Sequence, residues 1–125
     1  MKKVLVIDDS LITRRVAARD LQAAGFEVLV AENGKMGLEL IESDAPDCVI
    51  LDLLMPVMTG FQVLEALSEK GSSVPVIVAS ADIQETTRQK VVALGAKNLL
   101  NKPVKSDQLV SAVQAVLGIS DQEAA

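Results

Sequence analysis

Short apolar runs alternate with amphipathic stretches along the whole chain. Val4-Leu5-Val6-Ile7, Cys48-Val49-Ile50-Leu51 and Val76-Ile77-Val78-Ala79 are rich in β-branched residues and too short for ordinary helices, which is the pattern of buried strands. The alternation predicts strands near residues 3–8, 26–31, 47–52, 74–80 and 97–101. Between them it predicts helices near 11–24, 35–43, 61–70, 84–94 and 106–117. Gly25, Gly71 and Gly95 each follow a helical stretch, where a residue free to turn left-handed ends a helix, and Ser106 is placed to cap the last helix. In the first helix Ala17, Leu21 and Ala24 share a face and are expected to pack on the sheet. Ile12 and Val16 fall on another stripe, equally consistent with core and with an apolar docking strip. Five βα units in one chain imply a doubly wound parallel sheet with helices on both faces and right-handed crossovers. A length of 125 residues fits one α/β domain, expected over 1–119, with Ser120 to Ala125 as a frayed tail.

Composition narrows the function. The net charge of −5 argues against direct nucleic-acid binding, which needs a basic footprint. No apolar run is long enough to span a membrane. Met1-Lys2-Lys3 precedes an apolar stretch, but Asp8-Asp9 interrupts it without a small-residue cleavage site, so a signal peptide is not expected. The single cysteine, Cys48, lies inside an apolar run and reads as a core thiol, which suits a cytoplasmic protein. Histidine, tyrosine and tryptophan are absent, so the chain supplies no imidazole nucleophile, base or metal ligand. With only Phe26 and Phe61 as aromatics, it is poorly equipped to stack a flat ring.

The candidate chemistry sits where strands end. Asp8 and Asp9 follow the first strand and Asp52 ends the third. In a parallel sheet the C-terminal strand ends lie along one edge, where open α/β sheets bind ligands. Two carboxylates about 4 Å apart repel by roughly 4 kcal/mol at an effective dielectric of 20, so three together call for a cation, a proton or a nearby lysine. An all-oxygen donor set suits Mg²⁺. Ser80 ends the fourth strand and Lys102 the fifth, on the same side. Any one of these residues alone reads as a turn or cap residue. Together they make an inventory of three carboxylates, one hydroxyl and one ammonium that can hold a divalent cation and a phosphoryl group, and a carboxylate can itself accept the phosphoryl.

On these residues the chain resembles the receiver domains of two-component response regulators. The resemblance is carried by Val-Ile-Asp-Asp-Ser (6–10), Asp-Leu-Leu-Met-Pro-Val-Met-Thr-Gly-Phe (52–61), Pro-Val-Ile-Val-Ala-Ser-Ala (75–81) and Gly-Ala-Lys-Asn-Leu-Leu-Asn-Lys-Pro (95–103). It covers roughly Lys2 to Leu117. It implies a five-stranded sheet of order 2-1-3-4-5 flanked by five helices, and a cis Lys102–Pro103 bond. It also implies Asp52 as phosphoacceptor, with Mg²⁺ held by Asp9, Asp52 and the backbone carbonyl of Leu54, and by Asp8 through water. Lys102 would pair with the phosphoryl group and Ser80 would turn toward it. The implied donor is a phosphohistidine on a histidine kinase or histidine phosphotransfer protein. The implied reader is an output protein or phosphatase on the face of the fourth helix, fifth strand and fifth helix. Such a protein is a switch that assists its own phosphorylation and dephosphorylation, not an enzyme in the ordinary sense.

The chain departs from the family at Leu99, where a tyrosine or phenylalanine is usual. Leu54 and Asp82, two residues beyond Asp52 and Ser80, leave phosphoryl lifetime open. The fifth helix lacks the arginine-rich pattern of receivers joined to winged-helix DNA-binding domains. Three competitors stand beside this reading. A flavodoxin-like carrier is disfavoured by Asp8-Asp9 where a phosphate would sit. A dehalogenase-type phosphatase is disfavoured by Leu54 where a second aspartate is needed. The principal alternative is a pseudo-receiver, a phosphorylation-independent interaction module.

Overall fold

The computed structural model describes residues 1–119; the tail expected at Ser120 to Ala125 lies outside the described residues. The elements in chain order are β1 (Lys3–Ile7), α1 (Leu11–Ala23), β2 (Glu27–Ala31), α2 (Gly34–Asp44), β3 (Cys48–Asp52), α3 (Gly60–Glu69), β4 (Val76–Ser80), α4 (Glu85–Ala93), β5 (Asn98–Asn101) and α5 (Ser106–Leu117). All five strands are parallel and ordered β2-β1-β3-β4-β5, the expected topology.

Alternation along the strands builds the two layers. In β1, Leu5 and Ile7 pack with Val49, Leu51, Val63 and Val78 on the face that carries α2, α3 and α4. Val4 and Val6 point the other way, packing with Leu21, Phe26, Ile50, Ile77 and Val113 beneath α1 and α5. Every residue of β3 and β4 is buried, as expected of strands covered on both faces. Ala17 and Leu21 are buried under α1 and Ala24 packs beside them, as their spacing predicts. Full burial of a side chain such as Leu21 contributes about 1.5–3 kcal/mol.

Local chemistry sets the helix ends. Ser10, Asn33 and Thr59 each accept a bond from the first turn of α1, α2 and α3, and Thr59 and Gln62 form a reciprocal capping box. Gly25, Gly71 and Gly95 adopt φ of +97°, +68° and +104° just beyond their helices, as expected. Ser106 is a correction. The helix begins at Ser106, as the expected range 106–117 has it, but Leu109 N–H bonds to the carbonyl of Lys105 at 3.0 Å, so Lys105 is the cap position and Ser106 the first helical residue, without a capping bond. Among the described residues no helix is long and apolar enough to cross a membrane.

Candidate functional site: an acidic pocket at the sheet edge

Strand order reverses at β1, which lies between β2 and β3, and this opens a crevice between the ends of β1 and β3. The register Ile7↔Leu51 then puts Asp8, the next residue, beside Asp52. Oxygens of Asp8, Asp9 and Asp52 all lie within 4.8 Å of one another. Asp8 and Asp52 are buried while Asp9 is exposed, so the cluster has a buried floor and an open mouth.

Lys102 reaches the cluster from the end of β5. Its Nζ lies 2.7 Å from Asp8 Oδ2 and 3.2 Å from Asp52 Oδ1. The lysine is placed by its own backbone, whose N–H bonds to the Ser80 carbonyl at 2.9 Å, and the Lys102–Pro103 bond is cis, as the resemblance implies. The β1–α1 turn is held from two sides. Ser10 N–H donates to Asp8 Oδ1 at 2.9 Å, and the Arg14 guanidinium donates to the Asp8 carbonyl at 2.6 Å. Sequence reading did not single out Arg14; its position one turn into α1 was the available signal.

Gly60 fixes the loop beyond Asp52. Its N–H bonds to the Leu53 carbonyl at 2.9 Å, and a Cβ there would collide with the Asp52 carbonyl and lie 2.8 Å from Leu53 Cα. Leu54 sits in this loop with its side chain two-thirds exposed. Val57 in the same loop holds φ +72°, a left-handed conformation that a β-branched residue rarely adopts. Ser80 is buried at the end of β4, on the same edge, but its hydroxyl is bonded to the Asp82 N–H at 3.0 Å rather than to Asp52.

Charge is unbalanced here. Burial raises the pKa of Asp52, the charges of Asp8 and Asp9 add to the rise, and Lys102 offsets it only in part. Burial opposes the Lys102 ammonium, but its hydrogen bond to Asp8 and the charges of Asp8 and Asp52 outweigh it, and its pKa is raised. One ammonium therefore faces three carboxylates. Surplus negative charge on an all-oxygen donor set with an open side fits a hard divalent cation such as Mg²⁺. Cys48, by contrast, is fully buried and its thiol is pushed up to about 12 by burial, so it is a core residue.

Ile12 and Val16 are not core. Ile12 is 75% exposed, and both line an apolar groove of about 470 Å³ with Pro103 and Val104 that opens onto Asp8, Asp52 and Lys102.

Comparison with known proteins agrees with this architecture. Residues 4–114 match the profile of the response regulator receiver domain. The protein PilH of Pseudomonas aeruginosa is 35% identical over 119 residues, covering 94% of this chain and 98% of PilH. Response regulator MprA of Mycolicibacterium vanbaalenii is 34% identical over 115 residues, 92% of this chain but only 50% of MprA, so the chain spans about half the length of relatives of that kind. The chemotaxis protein CheY4 of Vibrio cholerae superposes with a TM-score of 0.89 at 34% identity, covering 94% of this chain and 99% of CheY4. The Francisella response regulator 1452 receiver domain gives a TM-score of 0.90 at 28% identity, with 94% and 98% covered. A signalling module built on this sheet edge, and matched over nearly all of its length, belongs to the response regulator receiver domain family.

Proposed function

We propose that the chain is a phosphoacceptor switch of a two-component phosphorelay, with residues 1–119 as the receiver unit and Asp52 as the acceptor. The observation that carries this reading is the buried Asp8–Asp52 pair bridged by Lys102, with Asp9 at its mouth. In the transfer, an Asp52 oxygen attacks the phosphorus of a phosphohistidine on a histidine kinase or histidine phosphotransfer protein. The new O–P bond forms as the P–N bond breaks, and the imidazole leaves with the electron pair and takes a proton from solvent. Lys102 is within reach of Asp52 and would pair with a phosphoryl oxygen on it. Gly60 keeps the loop tight so that the acceptor stays at the crevice, and Arg14 holds the turn that carries Asp8 and Asp9.

Asp9, Asp52 and the Leu54 carbonyl would hold Mg²⁺, with Asp8 through water. When bound, the ion neutralises charge on acceptor and phosphoryl oxygens. The groove edged by Ile12 and Val16 is where the donor would dock, because it is exposed, apolar and continuous with the acceptor. The reader, an output protein or phosphatase, would bind the α4-β5-α5 face. The role is cytoplasmic, and any enzymatic activity is limited to assisting the protein's own phosphorylation and dephosphorylation.

Labelling by acetyl phosphate, read by intact mass, tests the proposal. The expected result is one phosphate adduct on the wild type, lost with chelator and absent from Asp52→Asn. A wild type that takes no adduct in Mg²⁺ points instead to a pseudo-receiver.

A further inference from the structure

Ser80 sits at the edge with its hydroxyl held by the β4–α4 turn that follows it. Its Oγ accepts from the Asp82 N–H at 3.0 Å. The Asp82 carboxylate in turn accepts from Gln84 N–H at 3.1 Å and from the Thr87 hydroxyl at 2.8 Å. These bonds form one continuous polar chain from the end of β4 to the first turns of α4.

The helix at the far end of that chain is weakly anchored. Thr87 and Val91 are its only buried residues, and no side chain caps its start. A helix with so little apolar attachment responds to a single hydrogen bond more than its neighbours do. The route through β5 is apolar, because Leu99 is buried and has no hydroxyl. Among the described residues, the polar connection from the Ser80 hydroxyl runs through Asp82 to Thr87.

Resting on the reading of Asp52 as phosphoacceptor, we propose that the Asp82–Thr87 hydrogen bond is a latch that holds Ser80 away from Asp52 and sets how readily the switch is thrown. When Ser80 changes rotamer to donate to a phosphoryl oxygen on Asp52, its Oγ leaves the Asp82 N–H unless the turn follows. In this scheme the turn follows, so the Asp82 carboxylate is drawn off Thr87 and the N-terminal end of α4 is released. The latch bond therefore belongs to the resting arrangement alone. Removing it destabilises that arrangement and favours the other. Thr87 is a positioning residue in this scheme, acting through Asp82 on Ser80.

The test titrates the full chain with fluoroberyllate and Mg²⁺, using fluoroberyllate as a stand-in for the phosphoryl group on Asp52. Thr87→Val deletes the hydroxyl at nearly constant volume, and Thr87→Ser retains it. Thr87→Val is expected to melt lower yet bind fluoroberyllate about ten- to a hundredfold tighter, as expected for one hydrogen bond to a carboxylate lost from the resting state only. Thr87→Ser is expected to stay near wild type in both measurements. Asp82→Ala removes the same bond at an exposed position and decides the matter if Thr87→Val fails to fold. Its gain in affinity is expected to persist at high salt, which screens the effect of the lost charge. Unchanged or weaker binding by these variants, with the wild type binding normally, overturns the latch alone. A wild type that does not bind fluoroberyllate overturns the phosphoacceptor reading and the latch with it.

Discussion

Asp52→Asn should make the metal-free protein more stable. At the 4.8 Å outer limit of the cluster, two carboxylate oxygens repel by about 3.5 kcal/mol at an effective dielectric of 20. The Lys102 ammonium, 3.2 Å from Asp52, attracts it by about 5 kcal/mol on the same scale. Asp52 faces two such repulsions and one such attraction, which leaves about 2 kcal/mol against its ionised form before burial adds to it. The raised pKa of Asp52 has the same cause and sign. An asparagine keeps an oxygen for Lys102 and removes the charge. In thermal melts at pH 7 with chelator, the variant is expected to gain about 1–2 kcal/mol, or several degrees in Tm for a domain of this size.

The pH dependence follows from the same shift. A carboxyl whose folded pKa lies above its unfolded value takes up its proton first in the folded state. Its contribution to stability is thus fully present below the unfolded pKa and is lost as pH rises through the folded one. The stability advantage of Asp52→Asn should therefore shrink as pH falls from 7 into the acid range. Saturating Mg²⁺ should also narrow it, by stabilising the wild type about 2.7 kcal/mol at a hundred times its Kd. A variant no more stable than wild type in chelator at pH 7 would refute the electrostatic account of the cluster.

Three further outcomes are expected. Lys102→Met leaves the buried Asp8 and Asp52 without their cation and should cost about 2–4 kcal/mol in chelator, read by urea denaturation, with Mg²⁺ restoring part of the loss. Gly60→Ala drives a Cβ into the Asp52 carbonyl and Leu53 Cα, backbone atoms that cannot yield, and should cost 3 kcal/mol or more, roughly the scale of severe steric strain; a folded variant with unchanged Tm would contradict it. Val57→Gly relieves a β-branched side chain at φ +72° and should raise stability by roughly 1 kcal/mol in the same melts.

The sheet edge was legible in the sequence because it depends on short-range pattern. A buried strand must be apolar, so the first charged residue after it marks its end, and Asp8, Asp52 and Lys102 are marked in this way. Parallel connections then bring those ends to one side. Gly25, Gly71 and Gly95 were legible for a similar local reason, since a left-handed residue after a helix favours glycine. Ser106 was misplaced by one residue because the cap position is held by Lys105, whose side chain has no oxygen to accept a first-turn N–H, so capping preference alone pointed to its neighbour.

What the pattern left open depended on contacts between distant segments. Periodicity put Ile12 and Val16 on their own stripe, but only the packing of α1 against the start of α5 decided that they border a groove rather than fill the core. Arg14 gained its role because the β1–α1 turn brings the Asp8 carbonyl within 2.6 Å of it. Thr87 looked like any helix residue until the β4–α4 turn folded the Asp82 carboxylate back onto it. The sequence by itself determined which residues end strands, and so which chemistry gathers at the edge, because burial dictates apolar runs locally. The tertiary structure alone decided which hydroxyls and cations hold that edge in place, because hydrogen bonds depend on distances that no sequence period encodes.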